Sequence, residues 1–380
     1  MSGDGVSVRL PGRTHVMAEQ RTWSRPTEPI TSRVAFAAAH VVADPLGENR
    51  PGAPAVVDWE HTLGFRRHLW SYGLCVAEAM DTAQRGMGLD WAATQELIRR
   101  SAAEARAVGG RIAAGAGTDQ LTGAPRGLDD VAAAYEEQLD VVEDAGAQVI
   151  LMASRELAAV ATGPDDYRKV YDRLLAQTSA PVILHWLGPM FDPALAGYWG
   201  ADGVSDAADH VVALIADNAA KIDGVKVSLL DAAFEEALRS RLPAGVRLYT
   251  GDDFHYAELI RGSSDALLGI FAAIAPAASA ALQALDRGDL AAYDDAFAPT
   301  VPLARHVFGA PTYYYKAGIA FLSWLSGLQP GFVMVGGLQS ARSLPHLVTT
   351  FELADAAGLF PDPSLAAARM TSLLATYGVA

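Results

Sequence analysis

Residues 111–153 read RIAAGAGTDQLTGAPRGLDDVAAAYEEQLDVVEDAGAQVILMA. Two short apolar runs, at 111–116 and 148–153, flank an amphipathic segment at 131–144 that follows Asp129 as a helix N-cap. A short apolar run, a stretch of helical period and a second apolar run are typical of a strand–helix–strand unit with parallel strands. The stretch therefore predicts an α/β fold.

The same pattern extends in both directions along the chain. Two further helices have clear start signals, Asp90 before 91–108 and Pro164 before 165–176. Eight such units in about 250 residues match a closed (β/α)8 TIM barrel better than an open sheet. The predicted strands are 33–42, 74–80, 111–116, 148–153, 181–187, 222–228, 246–250 and 266–271.

The barrel is predicted to span residues 32–285 and to have a different region on each side. Residues 1–31 are rich in Gly, Ser, Thr, Pro and Arg and predict a mobile N-terminal arm. After the eighth strand the chain becomes helical, so residues 286–380 predict a C-terminal helical appendage. The helices predicted after that strand are 277–285, 290–308, 313–325, 347–357 and 363–377.

Composition excludes several functional classes. The chain has 380 residues with 29 basic and 44 acidic side chains, a formal net charge of -15, and this argues against nucleic acid or an anionic membrane as a partner. The single cysteine, Cys75, permits no internal disulfide and fits a cytoplasmic protein. No secretory signal pattern or convincing membrane span is present, and no complete Gly-rich dinucleotide fingerprint opens a helix. We therefore expect a cytoplasmic protein with no membrane partner and no cofactor.

Lys226 is the most informative polar residue, because it lies in the apolar run GVKVS at 224–228. Side chains alternate across a strand, so if Val225 and Val227 pack under the helices, Lys226 faces the barrel interior. Burial lowers the pKa of an amine and makes it a nucleophile towards a carbonyl carbon. The alternative is a lysine at the margin of the strand whose amine reaches solvent.

Five segments together resemble the dihydrodipicolinate synthase and N-acetylneuraminate lyase superfamily of class I aldolase barrels. The resemblance covers roughly residues 63–328, and the chain looks like a divergent branch with an N-terminal arm and extra C-terminal helices. It implies a (β/α)8 barrel with an imine-forming lysine on the sixth strand. The segments are AGAGT at 114–118, VILHW at 182–186, IDGVK at 222–226, YTGDD at 249–253 and YKAG at 315–318.

Two residues take catalytic roles in this resemblance. Lys226 matches the imine-forming lysine, and His185 stands where the family has a tyrosine on strand five. A phenol has a pKa of about 10 and an imidazole about 6.5, so His185 can still serve as an acid or base. The other interpretation of His185 is a packed core histidine.

The loop after the second strand departs from the family. There the family has a hydroxyl-rich segment that holds the carboxylate of a 2-oxo acid, whereas this chain has AMDTAQRG at 79–86. Thr82 remains as a substrate-binding hydroxyl, but Asp81 repels a carboxylate and suits a neutral polyhydroxylated ketone. Arg85 is either a carboxylate clamp or an exposed loop residue.

Further candidates follow the seventh strand. Gly251, Asp252, Asp253 and His255 are predicted to bind substrate. The alternative is a helix N-cap for Asp253 and a solvated face for the group. A divalent-metal site is a second possibility, with its ligands drawn from the ends of several strands. The alternative ligands are His40, Glu78, Asp81, His185 and His255. The aromatic residues at 313–315 and Trp324 have helical spacing and predict packing.

The sequence thus predicts a carbon–carbon or carbon–oxygen lyase of dihydrodipicolinate synthase type. Its small-molecule carbonyl substrate is expected to be a keto acid or a keto-sugar, with Lys226 as nucleophile and His185 as acid/base. The alternatives are a metal-dependent sugar isomerase or lyase and a sugar-binding barrel without catalysis. The acidic surface, the apolar appended helices and the resemblance predict a homo-oligomer, a dimer or a tetramer.

Overall fold

A closed barrel of eight parallel strands forms the centre of the computed structural model, which describes residues 6–379. The described strands are β1 Ser7–Leu10, β2 Arg13–Val16, β3 Ala35–Ala38, β4 Cys75–Glu78, β5 Ile112–Ala116, β6 Gln148–Leu151, β7 Val182–Leu187, β8 Ile222–Ser228, β9 Arg247–Thr250 and β10 Asp265–Leu268. From β3 to β10 each strand pairs with the next, and β10 closes the ring by pairing with β3. The predicted TIM barrel is confirmed.

Helices connect the barrel strands and continue after the last one. They are α1 Trp59–Ser71, α2 Trp91–Val108, α3 Leu128–Asp144, α4 Arg155–Val160, α5 Pro164–Gln177, α6 Val204–Asp217, α7 Ala232–Arg239, α8 Tyr256–Arg261, α9 Phe271–Asp286, α10 Leu290–Phe297, α11 Thr300–Val307, α12 Tyr315–Leu325, α13 Leu344–Ala356 and α14 Pro363–Thr376. The helices after α9 form the predicted C-terminal helical region. None of the helices between residues 6 and 379 has both the length and the apolar character that a membrane crossing requires.

Two separate apolar layers stabilise the barrel. One lies inside the ring of strands and includes Phe36, Ile150, Ile183 and Leu267. The other fills the space between the strands and the surrounding helices. Because side chains alternate along a strand, each apolar run contributes to both layers, which explains why the runs are almost continuously hydrophobic.

The helix start signals act largely as the sequence indicates. Asp90 caps α2 by accepting a hydrogen bond from the backbone N–H of Ala93 at 2.9 Å, and Pro164 is the first residue of α5. Asp129 does not cap α3, because the helix begins at Leu128 and its cap position is Gly127. Asp129 lies in the first turn, where a carboxylate favours the helix dipole without capping it.

The C-terminal elements differ in detail from the prediction. The helix predicted at 290–308 is divided into α10 and α11, with Pro299 between them, because proline has no N–H for an intrahelical hydrogen bond. The strand predicted at 266–271 ends at Leu268, and α9 begins at Phe271.

The segment predicted as an N-terminal arm contains two strands that the sequence did not indicate. β1 and β2 form an antiparallel hairpin, and Val8 and Leu10 are buried where β1 packs on α14. Arg13 donates hydrogen bonds to Glu352 on α13. Residues 1–5 of the predicted arm lie outside the described residues, and the predicted boundaries at 31/32 and 285/286 stay predictions.

Candidate active site

The side chain of Lys226 faces the interior of the barrel. On β8, Val225 and Val227 belong to the apolar layer under the helices, so the residue between them lies on the opposite face of the strand. The strand register sets Lys226 beside His185 on β7 and Tyr249 on β9. The amine therefore lies inside a closed ring of strands.

The amine of Lys226 has no neutralising hydrogen-bonded partner. Lys226 is 7% exposed, and no side chain or carbonyl among residues 6–379 makes a hydrogen bond with its Nζ. Burial lowers the pKa of Lys226, while the carboxylates of Asp81 and Asp253 favour the protonated form and act in the opposite direction. These are the conditions in which an amine becomes a nucleophile.

His185 is a fully buried neighbour of Lys226 across the strand pair. Neither of its ring nitrogens has a hydrogen-bond partner in the described part of the chain. Burial lowers the pKa of His185 well below its usual range, and the positive charge of Lys226 lowers it further. The ring is therefore neutral at pH 7, with one N–H donor and one acceptor nitrogen.

The end of β9 lies directly against Lys226. A Cβ atom on Gly251 would be 2.9 Å from Cε of Lys226, so only glycine fits between the lysine and the backbone of β8. Asp253 is buried, and its Oδ1 accepts a hydrogen bond of 2.8 Å from the backbone N–H of Ile270. Burial raises the pKa of Asp253, while the hydrogen bond from Ile270 and the positive charge of Lys226 lower it.

Asp252 and His255 interact with each other. Asp252 accepts hydrogen bonds from the backbone N–H groups of Phe254 and His255, and His255 Nδ1 lies 2.9 Å from its Oδ2. Asp252 is thus engaged in ordering the turn that leads into α8. Of the two adjacent aspartates, only Asp253 interacts electrostatically with the lysine.

The loop after β4 brings Asp81 and Thr82 to the barrel mouth. Two of its residues that are not glycine adopt the left-handed backbone conformation, Ala79 with φ of 51° and Gln84 with φ of 68°. Such positions are rare and require support from the surrounding structure. Support comes from the C-terminal region, because Gln84 donates a hydrogen bond of 2.9 Å to the carbonyl of Val335.

Tyr315 joins the site from α12, although its helical spacing with the neighbouring aromatic residues predicts a packing role. Its Oη lies 2.7 Å from Oγ1 of Thr82. Burial raises the pKa of Tyr315, and the charges of Asp81 and Asp253 raise it further, so the phenol stays protonated. The signal that could have identified it is the YKAG segment at 315–318, which already resembled a family motif.

The residues of the alternative metal site are not brought together. Glu78 is fully buried and accepts two hydrogen bonds from Arg66, at 2.8 and 2.9 Å. His40 Nε2 lies 2.8 Å from Oε1 of Gln329, and burial lowers the pKa of His40 to about 4. Within residues 6–379 no group of three or more His, Cys, Asp or Glu residues has the geometry to hold a metal ion.

A cavity of about 140 Å³ opens at the carboxyl ends of the barrel strands beside Asp81. Active sites of TIM barrels occupy this end of the barrel. A larger cavity of about 220 Å³ lies outside the barrel, between residues 20–23, α1, α9 and α12, and none of the predicted site residues lines it. Asp81 is the predicted site residue that lines the smaller cavity, and this contact and its place at the carboxyl ends of the strands make it the candidate substrate site.

Comparison with protein families gives a match over almost the whole chain. The model of a family described as "Protein of unknown function (DUF993)" matches residues 10–379. The chain belongs to this family. A search of curated proteins finds no match to this DUF993 member.

Solved structures similar to this DUF993 member share its fold at low sequence identity. A putative dihydrodipicolinate synthetase from Pseudomonas aeruginosa has a TM-score of 0.67 and 15% identity, covering 86% of this chain and 99% of that chain. The 4-hydroxy-tetrahydrodipicolinate synthase from Methylacidiphilum fumariolicum SolV has a TM-score of 0.66 and 16% identity, covering 86% and 96%. Dihydrodipicolinate synthase from Oceanobacillus iheyensis has a TM-score of 0.65 and 14% identity, covering 86% and 96%. The expected resemblance in fold is confirmed.

Proposed function

We propose that the chain is a Schiff-base-forming aldolase or lyase in which Lys226 forms an imine with the ketone of its substrate. The observation that carries the proposal is the buried amine of Lys226, which faces the barrel interior and has no hydrogen-bond partner among the described residues. Its lowered pKa gives a larger fraction of free amine at neutral pH than an exposed lysine has. The fold shared with dihydrodipicolinate synthases adds support.

In the proposed reaction Lys226 Nζ adds to the carbonyl carbon, and the resulting carbinolamine loses water to give a protonated imine. The bond between the α and β carbons then breaks, and its electron pair moves towards the imine nitrogen to form an enamine. The β carbon leaves as a carbonyl compound, because its hydroxyl gives up a proton in the same step. Protonation of the enamine carbon and hydrolysis of the new imine release the product and restore the free amine. The same steps in reverse form the bond.

Three groups near Lys226 are proposed to take part in the reaction. Asp253, whose pKa is raised by burial, takes up a proton more readily than an exposed carboxylate and donates it to the departing hydroxyl. Tyr315, joined to Thr82, donates a proton to the enamine carbon and is then protonated again. His185 lies beside Lys226 on the neighbouring strand, and its neutral ring offers one N–H donor and one acceptor nitrogen to the bound substrate.

Reductive trapping tests the proposal. The protein is incubated with a panel of 2-oxo acids and keto-sugars in the presence of borohydride, and the intact mass of the chain is then measured. We expect a covalent adduct with at least one ketone, located on Lys226 by peptide mapping. A Lys226→Arg variant keeps a positive charge but forms no imine and serves as the matched control. Absence of an adduct across the panel, or an adduct on another lysine only, would contradict the proposal.

The expected homo-oligomer and the cytoplasmic location stay predictions. Mass photometry of the purified chain at nanomolar concentration tests the former, with a dimer or tetramer as the expected result.

A further inference from the structure

The cavity beside Asp81 is unusually rich in negative charge for a site that would bind a 2-oxo acid. Four carboxylates line it against two guanidinium groups. Its lining comprises Asp81, Arg85, Gly86, Gly117, Thr118, Asp119, Met152, Ala153, Ser154, Arg155, Glu156, Leu187 and Asp192. Whether either arginine has a free charge for the substrate therefore determines which ligands fit.

Arg85 has no N–H group left for a substrate carboxylate. A guanidinium carries five N–H donors. Nε and Nη2 of Arg85 donate to the two carboxylate oxygens of Asp119, and Nη2 also donates to Oε1 of Gln138 at 2.6 Å. Nη1 donates to the carbonyls of Ala79 at 3.0 Å and Gly115 at 3.1 Å. The clamp interpretation of Arg85 is therefore wrong, because every donor holds the protein itself.

Arg155 is the second guanidinium, and its charge is also matched by a carboxylate. Its Nε donates to Oδ2 of Asp192, whose Oδ1 accepts a hydrogen bond of 3.1 Å from the backbone N–H of Ala194. The arginine itself is exposed at the outer edge of the cavity. Together, Arg155 and Asp192 add no net charge to the cavity.

Free hydrogen-bond acceptors, in contrast, remain on two carboxylates. No described side chain or N–H group donates a hydrogen bond to the carboxylate of half-buried Asp81. Oε2 of Glu156 accepts hydrogen bonds from Thr118 at 2.6 Å and Ser154 at 3.3 Å, whereas its Oε1 has no partner in the described chain. Carboxylate oxygens accept hydrogen bonds from hydroxyl groups and repel another carboxylate.

We propose that the substrate is an uncharged polyhydroxylated ketone whose hydroxyl groups donate to Asp81 and Glu156 while its carbonyl carbon meets Lys226. The inference rests on the proposed imine chemistry and specifies the substrate class within it. A 2-oxo acid would bring its carboxylate next to Asp81, in a cavity where four carboxylates already outnumber two guanidinium groups. Like charges placed together in this way discriminate strongly between ligands.

Two ketones with the same number of carbon atoms distinguish an uncharged polyhydroxylated substrate from a 2-oxo acid. Erythrulose is an uncharged four-carbon ketone with three hydroxyl groups, and 2-oxobutyrate is a four-carbon 2-oxo acid. Each is incubated at the same concentration with the full chain and borohydride, and the labelled fraction is read from the intact mass. We expect erythrulose to label Lys226 about tenfold faster than 2-oxobutyrate does.

A variant of Asp81 tests whether its negative charge causes the preference for the uncharged ketone. Asp81→Asn removes the repelling charge and should raise the labelling rate with 2-oxobutyrate several-fold while lowering that with erythrulose. Asp206→Asn, an exposed change in the first turn of α6, is the matched control and should leave the ratio unchanged.

The outcomes distinguish the two levels of the proposal. Labelling of Lys226 by 2-oxobutyrate at an equal or higher rate than by erythrulose overturns the substrate class but supports the imine chemistry. If Asp81→Asn leaves the ratio of the two labelling rates unchanged, the proposed role of Asp81 is overturned. Absence of label from both ketones, with the wider panel also negative, overturns the imine chemistry itself.

Discussion

Two buried lysines at the barrel mouth, one from the barrel and one from the C-terminal region, show how different two similar amines can be. Lys226 on β8 is 7% exposed and Lys316 on α12 is 2% exposed. Burial lowers the pKa of both side chains, to about 8 for Lys316, and the carboxylate of Asp81 acts against that shift in both cases. By burial and charge alone the two amines would be equal candidates for imine formation.

The two lysines differ in their hydrogen bonds. Lys316 Nζ donates to the carbonyl of Tyr313 at 3.1 Å, contacts Sδ of Met87 at 3.4 Å and lies 4.8 Å from the ring centroid of Tyr315. These contacts favour the ammonium form and hold it in one place. Lys226 has no such partner within residues 6–379. Burial lowers the pKa of an amine, but only the amine without partners is free to attack a carbonyl carbon.

The largest expected effect comes from removing each amine in turn. Lys226→Met should reduce reductive labelling by about a thousandfold or more, because the nucleophile itself is lost. Lys316→Met has the same change in shape and should retain labelling within about threefold, since its amine does not react. Labelling rates from intact mass, with thermal unfolding to verify folding of both variants, provide the measurement. Equal losses in the two variants would remove the distinction between the lysines.

A smaller effect is expected at the contact that joins the two regions. Tyr315→Phe removes the hydroxyl that lies against Thr82, and we expect exchange of the substrate hydrogen next to the imine to fall about a hundredfold. Imine formation should change little, because Lys226 is untouched. NMR detection of solvent deuterium entering the ketone measures the first rate and borohydride trapping the second.

Tyr313→Phe is the control for this change, because the carbonyl of Tyr313, not its hydroxyl, binds Lys316. A purely structural role for Tyr315 would reduce imine formation and hydrogen exchange together, in contrast to the separation expected here.

The smallest effect concerns pH. Only the free amine attacks a carbonyl carbon, so the labelling rate should rise with pH and level off above the pKa of Lys226, which lies below its usual 10.5. The negative charge of Asp81 raises the pKa of Lys226, so Asp81→Asn should move the midpoint of the curve to lower pH. Measurements at saturating ketone separate this shift from any loss of binding. A midpoint that stays fixed or moves to higher pH would show that Asp81 does not act on the lysine.

Much of the fold could be predicted because it depends on local patterns. The apolar runs of β7 and β8 and the start of α2 at Asp90 are encoded within a few residues, and the parallel order of the strands follows from the alternation of strand and helix. The hairpin of β1 and β2 was missed, since each strand has four residues and its burial depends on α14 at the other end of the chain. Pro299 is a local signal for the split between α10 and α11.

The candidate site also contains some residues that local sequence patterns predict and some contacts that they do not. Lys226 and His185 lie on neighbouring strands, so a correct strand order was enough to bring them together. The contact of Tyr315 with Thr82 spans 233 positions in the sequence, and no period or spacing encodes it. The saturation of Arg85 likewise depends on Asp119 and Gln138, which come from a different strand–helix unit.

The most direct test is a crystal structure of the protein after borohydride reduction with erythrulose. We expect continuous electron density from Nζ of Lys226 to the former carbonyl carbon, with the hydroxyl groups of the adduct within hydrogen-bond distance of Asp81. An adduct on Lys316, or Lys226 fixed in an ion pair with the ketone bound elsewhere, would contradict it.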